Sequence, residues 1–381
     1  MKKIYLPLVL LFALNSHAQE EDSPTNSFKI SGSVDVYARF NLNSFNRNYD
    51  DIDAPAPATS FANDPGFAIG MANVIMSYET GKVGAVADLV YGPRGEDAVF
   101  NSIGSPNIVN QLYVYWNVSD KVTLTLGNWN TYLGYEVISP AANFNYSTSY
   151  MFSYGPFSHT GIKADFELSD EFSAMVAVMN PTDYTEFNPV GTYTLGAQLG
   201  YAKDTGSAFL NFLYGDQDGN LDGIGNNGGD ASAGSTFQVD LTAGVDLSDE
   251  FYLGFNTTYN ITSTGEAYTD TGIRDIDGDD FGFYGAAVYL QYSLSDSFAL
   301  GTRGEYFKEF NGGAGALGVY DADGDAGVFA LTVSGNIAIG DLMLIPEIRL
   351  DSANQDIFLN KDIDGTQDSL ASVLLAAVYK F

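Results

Sequence analysis

The sequence predicts an all-β chain: a transmembrane, antiparallel, up-and-down β-barrel of about sixteen strands. Three observations predict it. Apolar residues recur at every second position from Phe28 to the final Phe381. The connections between these stretches are alternately short and long. Finally, no apolar run reaches the about 20 residues that a membrane helix needs, so any contact with lipid must be made by strands.

The first strand sets the pattern. Phe28, Ile30, Gly32, Val34, Val36, Ala38, Phe40 and Leu42 share one face, and Lys29, Ser31, Asp35, Tyr37 and Arg39 the other, because successive strand side chains point to opposite sides. The same reading recurs at 66–79, 83–92, 109–118, 121–130, 158–168, 172–180, 192–202, 207–215, 236–247, 251–263, 281–294, 298–309, 326–339, 342–352 and 369–381. The last stretch carries the apolar row Ala371, Val373, Leu375, Ala377, Tyr379 and Phe381, with Ser372, Ala376 and Lys380 opposite. Most stretches reach the roughly 9–11 residues of a tilted membrane strand. Pro346 lies inside the fifteenth and cannot donate to a ladder, which predicts a bulge there.

Short turns fall at 80–82, 119–120, 169–171, 203–206, 248–250, 295–297 and 340–341. Leu168-Ser-Asp-Glu-Phe172, Leu247-Ser-Asp-Glu-Phe251 and Leu294-Ser-Asp-Ser-Phe298 repeat one phrase, in which Ser and Asp bond nearby backbone. Long loops occupy 43–65, 93–108, 131–157, 181–191, 216–235, 264–280, 310–325 and 353–368. Short periplasmic turns and long extracellular loops form the expected rims.

Charge placement tests the barrel. A Lys or Arg facing lipid at mid-membrane costs about 2–4 kcal/mol. Only Lys308 breaks the apolar face, at the loop end of its strand, where its amine can reach water. Asp88, Lys163, Asp165, Glu167, Asp240, Asp246, Arg303, Glu305, Glu347, Arg349 and Asp351 fall on the opposite face. One side therefore meets hydrocarbon and the other water, and closure removes every unpaired edge. Sixteen strands leave room for an aqueous channel.

Residues 1–18 read as a secretory signal: Lys2 and Lys3, an apolar run from Ile4 to Leu14, then Ser16-His17-Ala18. A short periplasmic segment, 19–26, would precede a barrel over 27–381. The net charge is −32, which repels nucleic acid and anionic headgroups. The chain has no cysteine, which excludes disulfides and thiolate metal sites. No cofactor fingerprint stands out. His159 is the only histidine outside the leader, and Ser158 beside it would point to the opposite face, so the chain reads as a non-enzyme.

Leu126-Gly-Asn-Trp129, Leu133-Gly-Tyr-Glu136, Asn143-Phe-Asn-Tyr-Ser147, His159-Thr-Gly161 and the terminal Phe381 carry a family resemblance. With them the chain resembles Gram-negative outer-membrane porins, most of all the OmpL-like putative beta-barrel porin family. The resemblance implies passive uptake of small hydrophilic solutes across the outer membrane and no particular substrate. By analogy with sixteen-stranded general porins, the loop 131–157 would fold inward and narrow the pore; packing over the rim stays open as the alternative. Trimerisation, known among such porins, is equally open.

Two constellations are candidates for function. Asp35, Arg39, Glu136, Lys163, Arg303, Glu305, Glu347 and Arg349 would line or constrict the lumen. They would act either as self-neutralising pairs or as a transverse field that orients polar solutes. The second set shares Asp-x-Asp-Gly in four long loops: Asp216, Asp218 and Asp222; Asp275, Asp277 and Asp279; Asp321, Asp323 and Asp325; Asp362, Asp364 and Asp368. Alternate carboxylates before a turn suit Ca2+, but no loop supplies the bidentate Glu of an EF-hand. These are either solvated acidic turns or weak Ca2+ sites, and either way their charge favours cations at the mouth. Two rivals to a diffusion channel stand: a nutrient-specific channel for sugars or peptides, with Tyr113, Tyr115 and Trp129 in its lumen, and a structural or adhesion barrel with a plugged lumen.

Overall fold

The computed structural model describes residues 26–47, 59–102, 104–219, 221, 231–269, 272–275 and 278–381. The expected signal, and residues 19–25 of the segment after it, lie outside the described residues. Sixteen strands close into one barrel: β1 (Ser27–Asn41), β2 (Gly66–Thr80), β3 (Val83–Tyr91), β4 (Val109–Ser119), β5 (Val122–Asn130), β6 (Ser158–Glu167), β7 (Phe172–Met179) and β8 (Thr194–Lys203), then β9 (Gly206–Asp216), β10 (Ser235–Asp246), β11 (Phe251–Thr262), β12 (Phe281–Ser295), β13 (Phe298–Phe310), β14 (Ala326–Ile339), β15 (Leu342–Ala353) and β16 (Ser369–Lys380). Each pairs antiparallel with its sequence neighbours, and β16 returns to β1. The second and third long loops carry short helices, α1 (Pro93–Ala98) and α2 (Tyr150–Tyr154).

The two faces differ as the alternation requires. Phe28, Ile30, Leu126, Ile162, Leu195 and Leu375 are exposed, and Phe67 reaches 92%. So much bare apolar surface would be a liability in water and forms a hydrocarbon-facing band in a bilayer. Asp35, Asp88, Asp240, Arg303, Glu305, Glu347, Arg349 and Asp351 are all buried, on the inner wall. Lys308, the one exception on the apolar face, pairs with Asp325 at 2.6 Å, just before β14.

The seam joins the two ends of the chain. Gly32 N–H donates to the Phe381 carbonyl at 3.0 Å, and Phe381 N–H returns the bond at 3.1 Å. A Cβ on Gly32 would stand 2.6 Å from the Phe381 ring, so glycine is what lets the terminal aromatic lie across the seam.

Irregularities fall at specific partners. The β1–β2 register shifts between Val34 and Val36, opposite Gly70 and Met71, and there Asp35 Oδ1 accepts the Met71 N–H at 3.1 Å. The β3–β4 register shifts beside Asn110, which turns the Asn110 and Gln111 amides onto Asp88 together, at 2.7 and 2.9 Å.

The bulge expected at Pro346 is absent. Register with β16 runs unbroken through Pro346↔Leu375. Pairing with β14 lapses only between Ser334↔Glu347 and Ile337↔Leu344, with no shift. A proline withholds a donor from one neighbour only, and across the ladder stands Gly335, whose added Cβ would meet the Pro346 ring at 3.4 Å. A small partner absorbs the ring without an extra residue.

Removing Phe381 deletes its two seam bonds to Gly32, each worth about 0.5–1.5 kcal/mol net, and leaves the β1–β16 pairing from Ser33 to Asn41. Urea unfolding of the refolded barrel in detergent should show a stability loss of about 1–3 kcal/mol, together with a smaller folded fraction.

Candidate functional site

The loop 131–157 lies inside the barrel. Its neck is pinned where Thr131 N–H donates to the Phe157 carbonyl at 2.9 Å. The entry arm crosses to one wall. There the Tyr132 hydroxyl donates to the Phe212 carbonyl of β9 at 2.7 Å, and Gly134 N–H donates to Asp240 of β10 at 2.9 Å. Tyr135 stacks on Tyr289 of β12 with centroids 4.0 Å apart.

The return arm is held by the other wall, mainly through its backbone and also by the Asn145 amide and the Tyr146 and Tyr150 hydroxyls. Glu347 accepts the N–H groups of Tyr146 and Ser147 at 2.8 and 3.2 Å, and Glu305 those of Tyr150 and Met151 at 2.9 and 2.8 Å. Glu136, on the loop itself, takes the Ser149 N–H at 2.8 Å. Carbonyls are matched in the same way, with Asn336 donating to Phe144 at 3.0 Å, Arg303 to Ser147 at 2.7 Å and Arg349 to Thr148 at 2.7 Å. A loop drawn out of water must pair each peptide group. The inward charges of β13 and β15 supply those partners. Ser149 also caps α2, accepting the Phe152 N–H at 3.1 Å.

Six of the eight expected lumen residues (Asp35, Glu136, Arg303, Glu305, Glu347 and Arg349) therefore meet at this loop, while Arg39 bonds to the first long loop. Arg303, fully buried, forms an ion pair with Glu136 and donates to Thr332 at 3.1 Å. Arg349 is bound by both oxygens of Asp351, Nε–Oδ2 at 2.9 Å and Nη2–Oδ1 at 2.8 Å, and its guanidinium lies 5.4 Å over the Tyr150 ring. Asp35 accepts the Tyr146 hydroxyl, and Arg39 donates to the Asn63 carbonyl of the first loop. Lys163 stands apart on β6, paired with Asp165 at 3.1 Å and lying 5.7 Å over Trp129. Carboxylates (Asp35, Glu136, Glu305, Glu347, Asp351) nearly balance guanidinium groups (Arg39, Arg94, Arg303, Arg349), as buried charge requires.

Arg94 of α1 went unseen in the sequence. It sits 4.6 Å from both the Phe61 and Tyr146 rings, donates to the carbonyls of Ile138 and Tyr146 at 3.3 and 3.1 Å, and approaches Asp35 at 3.7 Å. It ties the first three long loops together. Its signal was faint: a lone cation in a loop, with every partner distant in sequence. Asp240 and Asp351 did register as inward charges, without their partners.

The other candidates are not gathered. Asp222 and Asp277 lie outside the described residues. Asp216 spends Oδ1 on the N–H groups of Asp218 and Gly219, and Asp321 on those of Asp323 and Asp325. Asp364 accepts Asn360, while Asp275, Asp279, Asp362 and Asp368 are exposed. Among the described residues no three metal-ligating side chains converge. His159 is buried, with Nε2 2.9 Å from Thr131 Oγ1 and its ring against Tyr132. Ser158 pairs with Asn130 on the opposite face from the His159–Trp129 pair.

Residues 27–381 match the sequence family described as putative beta-barrel porin-2, OmpL-like. No curated protein matches the sequence. Among solved structures, an anion-selective porin from Comamonas acidovorans superposes with a TM-score of 0.59 at 12% identity, covering 94% of this chain and 100% of that one. The outer-membrane channel DcaP of Acinetobacter baumannii gives 0.57 at 14%, covering 93% and 97%. The trimer form of OmpT from Vibrio cholerae gives 0.55 at 12%, covering 94% and 100%. At these identities the likeness is one of fold.

Removing Arg303 leaves Glu136 buried without its cation. Arg303→Met should cost about 3–5 kcal/mol in urea unfolding, and adding Glu136→Met should restore much of that loss.

Proposed function

This chain belongs to the OmpL-like beta-barrel porin-2 family of outer-membrane channels, and from that premise we propose that it passes small hydrophilic solutes by passive diffusion, preferring cations. The observation that carries the reading is the loop held inside the barrel by Glu305, Glu347, Arg303 and Arg349. A segment clamped at so many points is a fixed constriction and keeps a passage narrow without filling it by chance. Tyr113, Lys163 and Asp165, half-buried on the β4–β6 wall, support a wet path on the side away from that clamp.

Burial of the clamp shifts the source of selectivity. Arg303 and Arg349 are neutralised by Glu136 and Asp351, so a transverse field from them has little reach. The acidic rim remains, with Asp275, Asp279, Asp321, Asp323, Asp362 and Asp368 exposed. Within a chain of net charge −32 it concentrates cations at the mouth. The Comamonas porin is described as anion-selective; the charge here argues for the opposite sign. A homotrimer fits the reading, since a solved neighbour exists in a trimer form. The plugged-barrel alternative draws on the complete burial of Tyr146 and Tyr150.

Planar-bilayer recording of purified protein under a salt gradient should give a reversal potential of cation-selective sign. Deleting 136–150 should raise single-channel conductance severalfold. An unchanged conductance would remove the loop from the pore, and no current in either form would favour the plugged barrel.

A further inference from the structure

We propose that the pocket between the return arm of the inner loop and the wall of β9–β12 binds a neutral, polyhydroxylated ring of monosaccharide size, as an entry subsite; this rests on the diffusion-channel reading above. The cavity measures about 200 Å³, far beyond the ~10–15 Å³ that one water requires.

Its wall is a pair of cross-strand rungs. Thr236 and Thr262 meet hydroxyl to hydroxyl at 2.8 Å, and Asn260 donates to Gln238 at 3.2 Å. These groups hold one another in place before any ligand arrives, yet each has more hydrogen-bonding capacity than these contacts use. An amide offers donor and acceptor side by side, which matches a vicinal pair of hydroxyls. Phe283 continues the Gln238–Asn260 rung onto β12 as the cross-strand partner of Asn260, and Tyr154 comes from the inner loop; both rings are fixed against Phe307, with centroids 5.3 and 5.8 Å away. Their rings suit the C–H face of a cyclic polyol.

The charge pattern selects against ions. Among the described residues lining the pocket there is no lysine or arginine. Its one carboxyl, Asp183, spends Oδ1 on the N–H groups of Phe157 and Ser158 at 2.8 and 2.9 Å. Burial pushes that carboxyl up to about 6. An anionic solute would lose hydration here without gaining a counter-charge, and a cation would meet only Asp183, whose Oδ1 is already committed to backbone, whereas a sugar would exchange water for amides and rings. The wall of β13–β15, by contrast, carries full charges that are already committed to the loop.

The test uses detergent-solubilised full-length protein titrated with D-glucose and followed by saturation-transfer NMR, with glutamate and lysine as charged comparators. Saturable glucose binding through ring C–H groups is expected, with neither comparator matching it. Asn260→Leu should weaken it about tenfold, and the near-isosteric Thr262→Val by a smaller factor, each checked as a folded barrel by heat modifiability. Absence of saturable glucose binding, affinity unmoved by both substitutions, or equal binding of glutamate or lysine would overturn the site. Potassium chloride conductance of the same preparation separates the two readings. A barrel that binds glucose but passes no current keeps this site and loses the channel; one that conducts without binding glucose does the reverse.

Discussion

The arrangement inside this barrel turns on one constraint: a peptide backbone taken out of water must find a partner for each N–H and C=O. The inner loop solves it with charged side chains from the wall. Glu347 and Glu305 each grip two consecutive amides, while Arg303 and Arg349 each take a carbonyl. A carboxylate that accepts two N–H bonds is stronger than a neutral acceptor in the same place. The loop is thus fixed by residues belonging to strands far from it in sequence, and the rings of its own side chains fill the space between. Tyr146, Phe152 and Tyr150 do so, packing against Tyr37 of β1, Phe61 of the first loop and Phe307 of β13.

This division explains an odd composition. The loop 131–157 carries a single charge, Glu136, amid aromatics and asparagines. A loop in bulk solvent has little reason to avoid charge. One enclosed by a charged wall does, because each further ion would need its own partner. Glu136 is tolerated because Arg303 sits against it.

Strands and turns were legible because their physics is local. A period of two marks each stave, and Ser-Asp phrases mark four of the seven tight turns. Even the charge sorting could be followed position by position, with Lys308 the only exception. What charges do after closure was not legible. Arg303 and Glu347 read as ions facing a lumen, because nothing near them in sequence hints at a loop some 150 to 200 residues away. Arg94 was hidden for the same reason. Pro346 failed differently: the rule against proline in a ladder assumes an ordinary neighbour, and Gly335 is not one.

The seam has a consequence for biogenesis. Gly32 and Phe381 meet at one end of the β1–β16 ladder, so hydrogen-bonded cyclisation must await the sixteenth strand. Until then two raw sheet margins face whatever surrounds them, the condition most prone to mispairing. Since the final contact spans nearly the entire polypeptide, its closure entropy is high and assembly should be slow. A nascent chain that stops short of its last strand, β16, is left as an unfastened cylinder.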